Sequence, residues 1–310
     1  MTDRLTPALL GALCVIGASA GFTVNDMAVK YLSEDMALHQ VILFRSLVAA
    51  TIMLVLIMPL TGGLRQVRTR RPAIHLLRGL MVLGANMCFF MALAAMPIAE
   101  ATAIFFVSPM VIAVFSVIFL RETVGRWRWA AIIIGFAGVL VIIRPGTEAF
   151  TAISLLPLLA AVFYAALHMM TRLMRVSESA ATMGWYIQLT FLVASVAVGL
   201  SIGDGRFDTA TNASLSFLTR AWIWPAPEIW PILALTGLGS AIGGYLISQA
   251  YRLCEAAMVA PLEYIAMPMA ILWGFLVFGE WPEPASWFGM MLIVGSGLLM
   301  IWRETNTAPR

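Results

Sequence analysis

The segment Pro109-Met-Val-Ile-Ala-Val-Phe-Ser-Val-Ile-Phe-Leu-Arg-Glu122 returns 159 residues later as Pro268-Met-Ala-Ile-Leu-Trp-Gly-Phe-Leu-Val-Phe-Gly-Glu280, with one residue fewer before the glutamate. The similarity extends on both sides, so that 89–142 aligns with 248–301. Both copies are strongly apolar. The repeat therefore predicts a membrane protein made of two similar halves.

Composition supports a membrane location. Hydrophobic residues make up 61% of the 310-residue chain and charged residues only 11%, whereas soluble domains average about 25% charged residues. A helix needs roughly 20 apolar residues to cross a bilayer, and the apolar runs have that length rather than the roughly ten residues of a barrel strand. The predicted spans are 6–30, 37–60, 73–95, 98–120, 128–144, 152–173, 182–203, 230–251, 258–279 and 285–302.

These runs divide the chain into two units of five spans each, at 1–145 and 146–310. Because five is an odd number, the second half enters the bilayer upside down relative to the first. Inverted halves of this kind are how many secondary transporters build two exchangeable faces around a central site. The sequence thus predicts an all-α polytopic protein with ten transmembrane helices, arranged as two inverted five-helix repeats around a central cavity.

Basic residues are distributed unevenly between the two sides of the membrane. With the N-terminus placed in the cytoplasm, fourteen Lys and Arg residues lie inside, four lie outside, and Arg45 falls within a span. This asymmetry satisfies the positive-inside rule and places both termini in the cytoplasm. The formal net charge of +3 follows from topology, so it does not predict a nucleic-acid partner.

Outside the spans, the longest loop is 204–229, which the topology places on the external side. Its tryptophans and prolines predict an interfacial anchor at headgroup depth; an external gate is the alternative. Within the spans, Gly17-xxx-Gly21 and Gly239-xxx-Gly243 predict close helix contacts, as do the glycines of spans five and ten.

Two prolines occupy equivalent mid-span positions in the halves, Pro109 and Pro268. Neither has an N–H to donate to the carbonyl four residues earlier. A bend or a freed carbonyl at matching points of two inverted halves suits a gate. We predict a gating role for both, with a static kink as the alternative.

Ionisable residues within spans are costly, at roughly 2.5–3.5 kcal/mol each at a helix centre, so they mark candidate sites. Asp26, His168 and Glu263 are predicted to contact the cargo or to carry protons. Asp26 and Lys30 are spaced i, i+4 and alternatively neutralise each other. Arg45 is expected to tie helices together through carbonyls, unless the cargo is anionic.

Aromatic and amide side chains complete the predicted site. A cavity of aromatic rings with a few amides and carboxylates suits an amphipathic metabolite better than a bare ion. We predict no catalytic residue, no metal site and no cofactor. The predicted substrate-binding set is Asp26, Asn86, Phe90, Tyr164, His168, Tyr245, Gln249, Glu263 and Tyr264.

These motifs resemble a known family, the EamA-domain transporters of the drug/metabolite transporter superfamily. The resemblance is carried by Met96-Pro-Ile-Ala-Glu-Ala101, Pro109, Leu120-Arg-Glu122 and Gly135-Phe-Ala-Gly-Val139, and by Ala260-Pro-Leu-Glu-Tyr264, Pro268, Phe278-Gly-Glu280 and Gly295-Ser-Gly297. It implies a basket of ten helices with a cavity lined by spans one, three, four, six, eight and nine, in a bacterial inner membrane. Glu122 and Glu280 are expected to be structural residues at loop ends.

The function predicted first is secondary transport of a small amphipathic metabolite, an amino acid or a derivative, by alternating access. The alternative cargo is a cofactor-like compound, riboflavin or S-adenosylmethionine, both of which the family resemblance includes. An intramembrane enzyme is less favoured, because no span carries His-Glu-x-x-His. The sequence also has no Gly-x-x-x-x-Gly-Lys-Ser/Thr loop, so transport is not expected to be driven by ATP hydrolysis in this chain. The expected partners are the small-molecule cargo and membrane lipid, and the chain is expected to be a monomer or a weak dimer.

Overall fold

The computed structural model describes residues 7–120, 125–148, 150–174, 178–208, 212–253 and 262–307, and this part of the chain contains helices and no strand. Glu122 and the motif residues 260–261 lie outside the described residues. The α-helices are α1 Pro7–Leu32, α2 Leu38–Ile52, α3 Met58–Thr61, α4 Pro72–Leu93, α5 Ile98–Phe105, α6 Ser108–Leu120, α7 Arg126–Ile143, α8 Leu155–Met174, α9 Ala180–Ile202, α10 Ala213–Thr219, α11 Trp230–Leu253, α12 Ala266–Phe278 and α13 Pro284–Thr307.

The apolar runs of the sequence form helices because lipid offers no hydrogen-bond partner to the backbone, and a helix satisfies its own N–H and C=O groups. Within the described residues, seven helical segments are long and apolar enough to cross a membrane, and three shorter apolar helices accompany them. The prediction of an all-helical membrane protein is confirmed. The arrangement as ten spans in two inverted repeats stays a prediction.

Small residues bring the main helix pairs together. Helix α1 packs along α11, and α7 packs along α13. A Cβ atom on Gly21 would lie 3.1 Å from the Gly239 carbonyl oxygen, and one on Gly138 would lie 2.7 Å from the Gly289 oxygen. Backbones this close leave no room for a side chain. The close contacts predicted for these glycines are confirmed except at Gly295, where a Cβ would meet nothing within 4 Å.

Both halves contain an interrupted helix beside the repeated proline. In the first half, α5 ends at Phe105 and α6 begins at Ser108, so Pro109 is the second residue of α6. In the second half, a turn at 264–265 precedes α12, and Pro268 is the third residue of that helix. Because proline has no N–H to donate to the carbonyl four residues earlier, the backbone hydrogen bonding of the helix is interrupted at this point. The gating role of the two prolines stays a prediction.

The external loop packs across the outer ends of several helices. The Ser214 hydroxyl donates to the Met91 carbonyl at the end of α4, at 2.6 Å. The Trp222 ring stacks on His39 at the start of α2, with centroids 5.7 Å apart. Trp224 points outward and is 81% exposed, as expected for a side chain at headgroup depth. The described part of 204–229 therefore packs against the helix ends and exposes Trp224, and its role as an interfacial anchor stays a prediction.

The contact between α7 and α13 gives a direct test of backbone packing. Gly138→Ala should lower the free energy of unfolding by about 1–3 kcal/mol, because the new methyl group overlaps the Gly289 oxygen and forces the helices apart. The control is Gly295→Ala on α13, where a Cβ meets nothing within 4 Å. Denaturant titration in mixed micelles measures both, and equal stability of the two variants would contradict the packing.

Candidate functional site

The most unusual buried group is the Arg45 side chain on α2, which is only 2% exposed. Its Nη1 donates to the Asn86 Oδ1 on α4 at 3.2 Å. Its guanidinium lies 5.2 Å from the Phe90 ring centroid and 4.6 Å from that of Phe191. Its Nε and Nη2 have no hydrogen-bond partner among the described residues. Arg45 thus joins α2 to α4 through the side-chain carbonyl oxygen of Asn86, and a role for it in binding cargo stays a prediction.

Asp26 on α1 provides the opposite charge near Arg45. The two groups attract each other electrostatically, although no ion pair within 4 Å joins them in the described structure. The Asn25 amide donates to the Asp26 Oδ1 at 2.9 Å, which leaves the Asn25 Oδ1 buried without a partner. Buried polar groups are rarely left unpaired, so this cluster of α1, α2 and α4 side chains is a candidate binding site.

A chain of aromatic rings leads from the second half of the protein to Arg45. The Tyr264 ring lies 5.3 Å from Phe106, and Phe106 lies 6.2 Å from Phe105. Phe105 lies 5.2 Å from Phe89, and Phe89 lies 6.2 Å from Phe90. These are the tilted and edge-to-face separations that aromatic pairs prefer. The rings form a continuous apolar wall between the turn before α12 and the middle of α4.

Helix α8 adds a polar edge to this wall. Tyr164 lies 5.1 Å from Phe105 and 4.3 Å from His168, ring centroid to ring centroid. Glu263, just before the turn at Tyr264, interacts electrostatically with Tyr164. The structure thus brings Tyr164, His168, Glu263 and Tyr264 to the aromatic chain, as it brings Asp26, Asn86 and Phe90 to Arg45. Their contact with cargo stays a prediction.

Two predicted site residues form a pair of their own on α11. The Gln249 Nε2 donates to the Tyr245 hydroxyl at 2.7 Å, one helical turn away. Tyr245 borders an apolar groove of about 200 Å³ that also includes Ile57 and the exposed Leu60. This groove lies beside a π-helical turn at Met53–Ile57. The described contacts therefore do not place Tyr245 and Gln249 in the Arg45 cluster.

The aromatic wall passes directly through the interruption at Pro109. Phe105 ends α5, and Phe106 begins the two-residue break before α6. Any change in the angle between α5 and α6 therefore moves two rings of the wall. This coupling gives the proline a physical route to act on the site. Phe89, Phe105, Phe106 and Phe191 could not be predicted as site residues from the sequence, because a phenylalanine in an apolar span carries no distinguishing signal.

Lys30 does not neutralise Asp26, and that predicted alternative is wrong. Its ammonium donates to the Glu280 Oε1 at 2.6 Å and to the Met96 carbonyl at 2.7 Å. The Glu280 Oε2 accepts from the Ile98 backbone N–H at 3.2 Å. This group, which we call the outer latch, joins the end of α1, the turn between α4 and α5, and the end of α12. Asp26 is consequently available to Arg45.

The outer latch should contribute measurably to stability, because its side chains are only 11% and 27% exposed. Lys30→Met should cost about 2 kcal/mol, a value below the cost of a fully buried pair because solvent screens part of the charge. The double variant Lys30→Met with Glu280→Leu should recover most of that loss.

The exposed pair between Arg144 and Glu283, at 30% and 65% exposure, supplies the control for the latch. Glu283→Gln should change the free energy of unfolding by less than about 1 kcal/mol. Chemical denaturation in micelles compares the variants. If Lys30→Met costs no more than Glu283→Gln, the latch contributes nothing beyond a surface ion pair.

Comparison with known proteins identifies the family of this chain. The EamA-like transporter family matches residues 9–144. A riboflavin transporter of Vibrio cholerae serotype O1 is 30% identical over 307 residues, which cover 97% of this chain and 96% of the relative. The chain belongs to the EamA-like transporter family. It is therefore a membrane protein of a bacterial transporter family.

Other relatives differ in cargo and direction. An S-adenosylmethionine uptake transporter of Rickettsia felis is 24% identical over 310 residues, covering 100% of this chain and 98% of the relative. The pseudopaline exporter CntI of Pseudomonas aeruginosa is 27% identical over 286 residues, covering 92% and 93%. A solved crystal structure aligns with a TM-score of 0.63 at 17% identity, over 96% of this chain and 99% of that one. The last match shows a shared fold.

Proposed function

We propose that this EamA-family chain is a secondary transporter that moves a flavin, riboflavin or a close analogue, across the bacterial inner membrane. In this proposal the cargo crosses chemically unchanged, by alternating access between two inverted five-span halves, and both termini are cytoplasmic. Full-length relatives named as riboflavin transporters support the cargo class. The positive-inside distribution of Lys and Arg supports the orientation.

The helix packing supports two exchangeable halves. If the two halves are equivalent, each helix of the first half has a counterpart in the second: α1 and α8, α2 and α9, α4 and α11, α5–α6 and α12, and α7 and α13. The contact between α1 and α11 then corresponds to the contact between α8 and α4. The contact between α1 and α12 corresponds to the contact between α8 and α6. The contacts α2–α9 and α7–α13 each join a helix to its own counterpart in the other half. A packing map with this symmetry suits rocking of one half against the other.

The single observation that carries the flavin proposal is the aromatic wall from Tyr264 to Phe90. Five rings in succession, each tilted by 46–61° to the next, form a continuous apolar cluster with Arg45 at its end. Planar ring systems stack on the rings of such clusters, whereas a few convergent polar groups fix their orientation. An amino acid, the cargo the sequence analysis put first, has too small an apolar surface to use this wall. The named relatives also favour the cofactor-like alternative.

S-adenosylmethionine is the second candidate, favoured by the uptake transporters of Rickettsia. Its adenine ring would also stack on the wall, but its sulfonium and amine need carboxylate partners in a buried site. Asp26 already interacts electrostatically with Arg45, and Glu263 is the carboxylate beside the aromatic wall. A flavin is uncharged and needs no such partner. The electrostatics therefore support riboflavin over S-adenosylmethionine.

Uptake by reconstituted liposomes tests the proposed function. Purified protein should give saturable flux of radiolabelled riboflavin, recovered unmodified by chromatography. Phe105→Ala should raise the KM about 2- to 10-fold, because one aromatic contact contributes about 0.5–1.5 kcal/mol. Phe288→Ala, at a 54% exposed lipid-facing position, is the matched control and should behave like wild type. No saturable riboflavin flux from well-folded protein would overturn the proposal.

Glu263→Gln separates the two candidate cargoes. Riboflavin flux should stay within about threefold of wild type, because an uncharged ring requires no counter-charge. Flux of S-adenosylmethionine would instead fall by more than about tenfold, since a buried cation would lose its partner. Glu228→Gln, in the exposed external loop, controls for the general effect of removing a carboxylate. Wild-type flux of S-adenosylmethionine alone, sensitive to Glu263→Gln, would select the second candidate.

A further inference from the structure

Arg45 is a buried cation whose surroundings are incomplete. A guanidinium carries five N–H donors, and in the described structure only the donor on Nη1 finds an acceptor, the Asn86 side chain. Asp26 compensates the charge electrostatically but does not contact the free Nε and Nη2 groups. A buried charged group without hydrogen bonds costs several kcal/mol. Natural proteins retain such a group where something else completes it.

Unpaired acceptors occur on two residues that neighbour the partners of Arg45 in sequence. The Asn25 Oδ1 is buried without a partner next to Asp26. The Gln188 Oε1 on α9 is likewise unpaired, and Gln188 precedes Phe191, which stacks on Arg45, by one helical turn. Buried donors and acceptors without partners thus occur on α1, α2 and α9, three of the helices around Arg45. A partner that satisfies both must itself carry acceptors and a donor.

We infer that this cluster is the subsite for an imide edge, the O=C–NH–C=O group that a flavin presents on its pyrimidinedione ring. Arg45 donates from Nε and Nη2 to the imide carbonyl oxygens, and an amide oxygen of Asn25 or Gln188 accepts from the imide N–H. This inference rests on the proposed function and specifies which chemical group of the cargo the site binds. A carboxylate fits less well, because in its ionised form it has no hydrogen to donate to an amide oxygen.

The neighbouring rings suit this assignment. Phe90 and Phe191 both lie against the guanidinium, and stacked rings hold it flat, as a planar ligand edge requires. Phe90 is also the last ring of the aromatic wall, so a flavin with its imide at Arg45 extends its apolar rings along that wall. Arg45, Phe90 and Phe191 are each 2% exposed. The subsite is therefore closed in this conformation and opens only when the surrounding helices separate.

Ligand binding to the intact protein in detergent tests the inference, with quenching of flavin fluorescence as the readout. Wild type should bind riboflavin about tenfold more tightly than N3-methylriboflavin, whose methyl group removes the imide donor. Arg45→Met should weaken riboflavin binding by about tenfold or more and abolish this discrimination. Of Asn25→Leu and Gln188→Leu, the variant that removes the accepting amide should weaken riboflavin binding but leave N3-methylriboflavin unchanged, and unchanged riboflavin binding in both variants would overturn the subsite.

Thermal stability distinguishes a ligand-binding arginine from a structural one. Empty Arg45→Met should melt at or above the wild-type temperature, because it removes a buried group whose donors are unsatisfied. The matched control is Arg78→Met, because buried Arg78 donates to the Thr171 hydroxyl at 2.8 Å and to the Met183 carbonyl at 3.0 Å. Arg78→Met should melt earlier while keeping the discrimination between the two flavins.

The outcomes separate this inference from the proposed function. If wild type binds riboflavin and Arg45→Met binds both flavins with unchanged affinity, the subsite is wrong and flavin transport stands. A melting temperature of Arg45→Met that falls as far as that of Arg78→Met would show a structural arginine and would also overturn the subsite. If wild type binds neither flavin, the proposed function fails and the subsite fails with it.

Discussion

Lipid cannot hydrogen-bond to the backbone, and this constraint shapes the whole protein. Every segment at membrane depth must satisfy its own N–H and C=O groups, so the apolar runs become helices. A break is tolerated only where protein surrounds it. The interruption before Pro109 meets this condition, because Phe106 and Val107 are buried. The irregular backbone thereby lies inside the protein, and its aromatic side chains point toward other helices instead of toward lipid.

The same scarcity of partners separates structural charges from candidate binding charges. Lys30 has both a carboxylate and a carbonyl within hydrogen-bond distance, so its charge is fully used in joining three segments. Arg45 is more deeply buried and keeps donors without acceptors. Both residues are single cations in apolar spans, so a hydropathy profile does not distinguish Lys30 from Arg45. Their different surroundings make Lys30 a structural residue and Arg45 a candidate for binding a ligand.

Transport by two halves requires a site that both halves build and a scaffold that stays intact when they move. The aromatic wall meets the first need, because it links Tyr264 of the second half to Phe90 of the first. Close backbone contacts such as that between Gly21 and Gly239 meet the second. The wall crosses the α5–α6 break, whereas these glycine contacts lie within unbroken helices. In the proposed mechanism, movement would therefore be concentrated at this break, beside the aromatic wall.

The sequence by itself determined the membrane class, the helical spans and the contact glycines, because hydrophobicity and residue size are local properties that a repeat makes conspicuous. It also identified Asp26, Asn86 and Phe90 as candidates. The partner of Lys30, the incomplete shell of Arg45 and the aromatic wall were decided by the tertiary structure alone. Glu280 lies 250 residues from Lys30, and whether a buried charge is satisfied depends on side chains that distant segments bring to it. No local pattern contains that information.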